Sequence, residues 1–233
     1  MLIGEDVSSI SVKVPEDAYD TGKHMPTFNA YLTAIVRDSM GRVVKVHRQR
    51  SHSPTSNFIG LLLPLSYYTN INNPYTITNI AGSTYNYAPA LARDTPDISY
   101  PNNSDNYQTY LATIQVGSGQ QSSPFNAYSL AAPIPNGSGA GQLIYGSTIL
   151  PTDVTASGDS VYFVIMQEYS NQSGSTINVT EVGITLYLYF IDPAVTRPTN
   201  FGSTLVWYDV LSSAISIPNG GSLTITYTFA VNP

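Results

Sequence analysis

The chain has 233 residues, no cysteine and a net charge of −6, with only 10% charged side chains against about 25% in a typical soluble protein. That length supports a sizeable core without metal or disulfide staples, and the missing thiols exclude cysteine nucleophiles, Cys-ligated zinc and disulfide frameworks. Residues 1–97 carry eight acidic and eight basic side chains and residues 98–233 seven acidic and one basic, Arg197, so the later part would repel nucleic acid.

Tyr, Ser, Thr, Asn and Gly take the place of charge, a composition suited to faces covered by neighbouring subunits or exposed outside a cell. The opening residues, Met1 to Asp6, lack the basic and apolar regions of a secretory leader. The longest apolar run, residues 58–65, is broken by Gly60 and Pro64 and falls short of the ~18 residues a membrane helix needs.

In chain order, residues 7–14 alternate as a first strand ended by Pro15, and an acidic loop follows. Residues 28–37 and 42–49 form two β-rich runs joined by Asp38-Ser39-Met40-Gly41, a β-turn sequence that predicts a hairpin. Ser53-Pro54 ahead of Phe58 to Leu63 reads as an N-cap and first helical position, giving one short helix stopped by Pro64. The Tyr/Asn-rich stretch 66–106 is too long for a structureless loop and reads as an inserted flap with its own hairpin around Ala81-Gly82-Ser83. Strands follow at 107–116, 142–150, 160–169 and 176–190. The final alternation of Leu223, Ile225, Tyr227, Phe229 and Val231 is a half-buried strand, expected to pair with residues 205–211 across Pro218-Asn219-Gly220-Gly221. Strands at this spacing predict an all-β fold, an antiparallel, jelly-roll-like β-sandwich with one short helix, formed as a single domain over residues 1–233.

No catalytic, metal or cofactor site emerges, and the chain reads as a non-enzyme without cofactor. Gly117-x-Gly119 and Gly137-x-Gly139-x-Gly141 lack the helix of a dinucleotide fold and the lysine of a phosphate loop, and read as turns. Asp38, His47 and His52 come nearest to a ligand set, and scattered histidines do not make one. Ser51 and Ser53 lack the glycines of a nucleophile elbow. Asn-x-Ser/Thr sequons at Asn102, Asn136, Asn171 and Asn178 are expected by chance in so Asn- and Thr-rich a chain.

Two features stand out as contact surface. Arg37, Arg42, Lys45, Arg48 and Arg50 lie in one basic window, which favours the acidic later part of another subunit, or intramolecular pairing, over nucleic acid. Opposite charges on separate regions of one chain steer head-to-tail or ring assembly. Tyr67, Tyr68, Tyr75, Tyr85 and Tyr87 offer large contact area at low entropic cost.

The segments Arg48-Gln49-Arg50-Ser51-His52-Ser53, Ile114 to Gly119, Leu130 to Ile134, Gly141 to Gly146, Asn171 to Gly174, Thr180-Glu181-Val182-Gly183-Ile184, and Asp209-Val210-Leu211-Ser212 through Thr228 resemble a loosely characterised family of virion structural proteins of phages and archaeal viruses from hot environments. The likeness covers most of the chain from about residue 30. Tyr208 stands where the family pattern has Arg, and the 66–106 insertion is particular to this chain. The resemblance implies a β-sandwich building block of a capsid, turret, spike or tail, a homo-oligomer located in the virion and assembled in the host cytoplasm. Its partners would be itself and other virion proteins, with neither nucleic acid nor a membrane span. The alternatives are a host-receptor or glycan-binding module at a spike or tail tip, for which a Tyr/Trp-lined groove near Trp207 or residues 67–87 would be the sign, and a cell-surface or filament subunit.

Overall fold

The computed structural model describes residues 27–51, 53–62, 75–87, 112–150, 154–157, 160–191 and 198–232. The expected strand at 7–14, Tyr67, Tyr68 and most of the 66–106 segment lie outside the described residues. The fold is all-β and antiparallel with one short α-helix, consistent with the sandwich class that the strand spacing predicts. Internal contacts divide the chain into two compact units, one of Met1–His52, Gly137–Thr176 and Ile217–Pro233, the other of Ser53–Asn136 and Ile177–Ser216.

The first unit is built on one sheet. β1 (Thr27–Arg37), β2 (Val43–Ser51), β6 (Ile144–Tyr145), β7 (Thr155–Ser157), β8 (Ser160–Ser170) and β11 (Ser222–Asn232) form it in the order β2-β1-β11-β8-β6, with β7 also on β8. Directly paired residues share a face, so the β11 alternation sets the whole register. Leu223, Ile225 and Tyr227 are fully buried and pair with Val36, Ala34 and Leu32 on one side and with Tyr169, Gln167 and Ile165 on the other. Phe28, Phe229 and Phe163 stack across the same face at centroid separations of 6.0 and 5.0 Å.

The second unit holds β5 (Ala112–Gly117), β9 (Ile177–Ile191) and β10 (Pro198–Ile217) in the order β10-β9-β5, and the small hairpin β3 (Tyr75–Thr78) with β4 (Thr84–Tyr87). Residues 204–209 and 181–185 are buried without alternation, the pattern of strands covered on both faces. Gly183 is required by that closeness: a Cβ there would lie 2.5 Å from Leu205 Cδ1 and 3.0 Å from the Trp207 carbonyl oxygen.

Two sequence expectations are corrected. β11 does not pair with the run before it: β10 lies in the three-stranded sheet, whereas β11 runs between β1 and β8. The 218–221 turn is instead stapled to the 171–175 turn, because Asn171 Nδ2 donates to the carbonyls of Ser175 and Ile217 and Asn219 Oδ1 accepts from the Gly174 N–H. The helix α1 (Ser56–Leu62) starts three residues after Ser53. Ser53 and Pro54 are spent on the open edge of β10, where Pro54 bridges Trp207 and the Tyr208 N–H donates to the Ser53 carbonyl at 3.0 Å.

Candidate functional site

The β1–β2 hairpin is closed by a compact turn. Gly41 adopts φ +77°, the left-handed conformation that glycine takes without strain. Asp38 Oδ1 accepts the N–H groups of Met40 and Arg42 at 2.9 and 3.0 Å. Beyond this turn chemistry the hairpin end is unusually apolar for its exposure, with Met40 at 75%, Val44 at 54%, Val46 at 50% and Val43 at 49%. The register shifts at Val43 and Val44, where Arg37 pairs with Val43 and Val36 with Lys45, and both valines are open. The hairpin end therefore presents four exposed apolar side chains close together in the chain, the signature of a contact element rather than of scattered surface residues.

The five basic residues do not form one patch. Arg42 is held in place by Asp38, with Nη2 and Nε 2.7 and 2.8 Å from Oδ2, and that hydrogen bond keeps the Asp38 carboxyl below the ordinary aspartate value. Arg37 is exposed and donates to the Gly41 carbonyl at 3.1 Å. Farther along β2 the period of two separates the rest. Lys45, His47, Gln49 and Ser51 pair with Val36, Ala34, Leu32 and Ala30 on the buried face, whereas Arg48 and Arg50 pair with Thr33 and Tyr31 on the outward one. His47 is buried and joined to Gln49 at 2.9 Å. Arg48 is exposed. Arg50 is only 7% exposed and donates through Nη2 to Asn29 Oδ1 at 2.9 Å, while its Nε and Nη1 have no hydrogen-bond partner among the described residues.

Of the tyrosines, Tyr75 pairs with Tyr87 and Tyr85 with Ile77 in the β3–β4 register. The hairpin turn is the expected one, with Gly82 at φ +82° and Asn79 Oδ1 accepting the N–H groups of Ala81 and Ser83. Ile77 is fully buried against Leu188, Leu61 and Leu186, which anchors this hairpin in the second unit. Trp207 is 2% exposed and meets Phe58 edge-on at 5.6 Å. It is core, not the wall of a sugar-binding groove. Asn171 is likewise fully buried with its amide spent on the two turns, so that sequon is not an accessible acceptor.

The most elaborate polar cluster in the described residues centres on Glu181, which sequence reasoning passed over as part of a strand motif. Its carboxylate is fully buried. Oε1 accepts the N–H groups of Gly119 (3.1 Å) and Ala132 (2.8 Å), and Oε2 accepts the Ala131 N–H (2.9 Å) and the Tyr208 hydroxyl (2.8 Å). The Tyr208 oxygen in turn accepts the Gln121 N–H at 2.8 Å. Gly117 leaves the space that the Glu181 side chain fills, since a Cβ there would collide with it. Burial together with the hydrogen bond to Glu181 pushes the Tyr208 hydroxyl far above its ordinary pKa, so it stays a donor at any working pH. Tyr208 is thus the side chain that completes this cluster.

Four donors occupy both carboxylate oxygens, so Glu181 presents no lone pair to an incoming substrate. It acts as a clamp that ties β9 and β10 to the loops at 119–121 and 131–132. A lone acid inside the apolar run 177–188 is the one sequence sign of it; the donors are scattered over about ninety residues.

Among the described residues no group of three His, Asp or Glu side chains is placed to hold a metal ion, and no helix is long and apolar enough to cross a membrane. In comparisons with known proteins, no family model, no curated protein and no solved structure matched the chain.

Proposed function

We propose that this protein is a structural component of a virus particle, acting by self-assembly and by contact with other particle proteins. The observation that carries the assembly reading is the β1–β2 hairpin, whose end exposes Met40, Val43, Val44 and Val46 beside Arg37, Arg42 and Arg48. Apolar side chains ringed by arginines are the composition of an interface core and rim, and the acidic later part of a neighbouring chain supplies the complementary charge. The virion assignment is supported by the motif resemblance from residue 30 onward. The polar clusters at Glu181 and Asn171 fit the same reading, because both are spent on holding turns and strands together.

Light scattering on the purified protein across a concentration series tests the reading. The expected result is a mass that rises above that of the monomer as concentration increases. A monomeric mass at the highest attainable concentration would contradict it.

A further inference from the structure

The outward face of the first sheet has a charge arrangement that the hairpin alone does not explain. The register places Arg48 on the edge strand β2 and Glu168 on β8 one row apart, with Tyr31, Thr33 and Ile35 of β1 and Thr224, Thr226 and Thr228 of β11 on the two strands between them. The threonines are half-buried, and Arg48 and Glu168 are exposed. Neither Arg48 nor Glu168 has an ion pair among the described residues, so both keep an unneutralised charge. The contrast with the opposite face is sharp: there Leu32, Ala34, Leu223, Ile225 and Tyr227 are fully buried.

We propose that this face pairs with the same face of a second copy about a two-fold axis running parallel to the strands between β1 and β11. Such an axis exchanges β2 with β8 and β1 with β11. It brings Arg48 to within one row, about 6.6 Å along the strands, of Glu168 of the partner subunit, and Glu168 equally near Arg48 of the partner subunit, a span two long side chains bridge, so that one contact is made twice, as an isologous interface requires. The centre, four threonines with Tyr31 and Ile35, carries no charge to repel its own image, and its methyls, hydroxyls and apolar side chains suit a flat, aligned sheet-on-sheet contact. Four strands about 4.8 Å apart and seven residues of about 3.3 Å make a face of roughly 440 Å². That is about half of the ~800 Å² per partner in a standard interface, so the pairing is weak in dilute solution and strengthened by the other contacts of an assembly. This inference rests on the self-assembly reading and names the partner surface.

The test is sedimentation velocity on the intact protein and on Arg48→Glu and Glu168→Arg, each checked for an unchanged melting temperature. Each single reversal sets like charges together twice per dimer, and association should fall roughly tenfold. Mixing the two single variants in equal amounts restores both opposite-charge contacts, and association should return to within about threefold of the parent. Rescue by mixing arises only from a contact between chains; an intrachain pair would be rescued in the double variant and not by the mixture, and a head-to-tail contact would continue past the dimer, whereas the two-fold pairing stops there. Variants that associate like the parent would overturn the two-fold pairing and leave self-assembly standing. A parent that remains monomeric throughout would overturn both.

Discussion

Glu181 and Arg50 are both buried charges, and their surroundings are opposite. Glu181 has four donors on two oxygens, drawn from two loops and a tyrosine. Arg50 has one acceptor, Asn29, and two nitrogens without a partner among the described residues. A buried charge stabilises a fold only when its desolvation is offset by well-placed hydrogen bonds. The second unit is thus organised around its buried acid, whereas the first unit tolerates its buried base.

The largest effect should come from Glu181→Leu. It strands three backbone N–H groups and the Tyr208 hydroxyl in a dry site, and thermal or denaturant unfolding should register a loss of about 3–5 kcal/mol. A loss under about 1 kcal/mol would mean that the clamp is dispensable. Tyr208→Phe removes one donor to Glu181 and leaves the Gln121 N–H without its acceptor, for an expected loss of about 1–2 kcal/mol by the same measurement. Arg50→Met sharpens the comparison from the other side: replacing a half-paired guanidinium by an apolar chain of similar length should change stability by no more than about 1 kcal/mol, and in the stabilising direction. A loss of several kcal/mol would mean that Arg50 is neutralised by a counter-charge in the folded protein.

The smallest effect belongs to the exposed Asp38–Arg42 pair. Asp38 has a depressed folded-state pKa, so its contribution is present above the unfolded aspartate pKa of about 3.9 and is lost as pH falls through the lower folded value. Solvent screens it almost entirely. In Arg42→Ala an NMR titration should find the Asp38 pKa moved up toward the ordinary aspartate range, with no change in the melting temperature at neutral pH.

The faces of the strands were legible in the sequence and their neighbours were not. The alternation from Leu223 to Val231 predicts which side chains are buried: Leu223, Ile225, Tyr227 and Phe229 are, whereas Val231 at the strand end is 40% exposed. Period two carries no information on which strand lies alongside, and β11 found β1 and β8 instead of the run before it. The hairpin at Asp38 to Gly41 was legible because a turn is local chemistry: a glycine at positive φ and an aspartate that bonds its own backbone. The helix start was misplaced because Ser53 and Pro54 satisfy a remote strand edge that no local pattern announces. The Glu181 clamp was hidden for the same reason, since Gly119, Ala131, Ala132 and Tyr208 meet only after the strands are in register. In the basic window, position parity would have separated Lys45 from Arg48 and Arg50; it could not have foretold that Arg50 is buried.

The most direct test of the account is the oligomeric mass of the triple variant Met40→Ser, Val44→Thr, Val46→Thr beside the parent, by light scattering at matched concentrations. These residues contribute exposed apolar surface and no core contact of consequence, so the account predicts an unchanged melting temperature together with loss of the concentration-dependent mass increase. A variant that assembles as the parent does would contradict the claim that the hairpin end is an assembly surface.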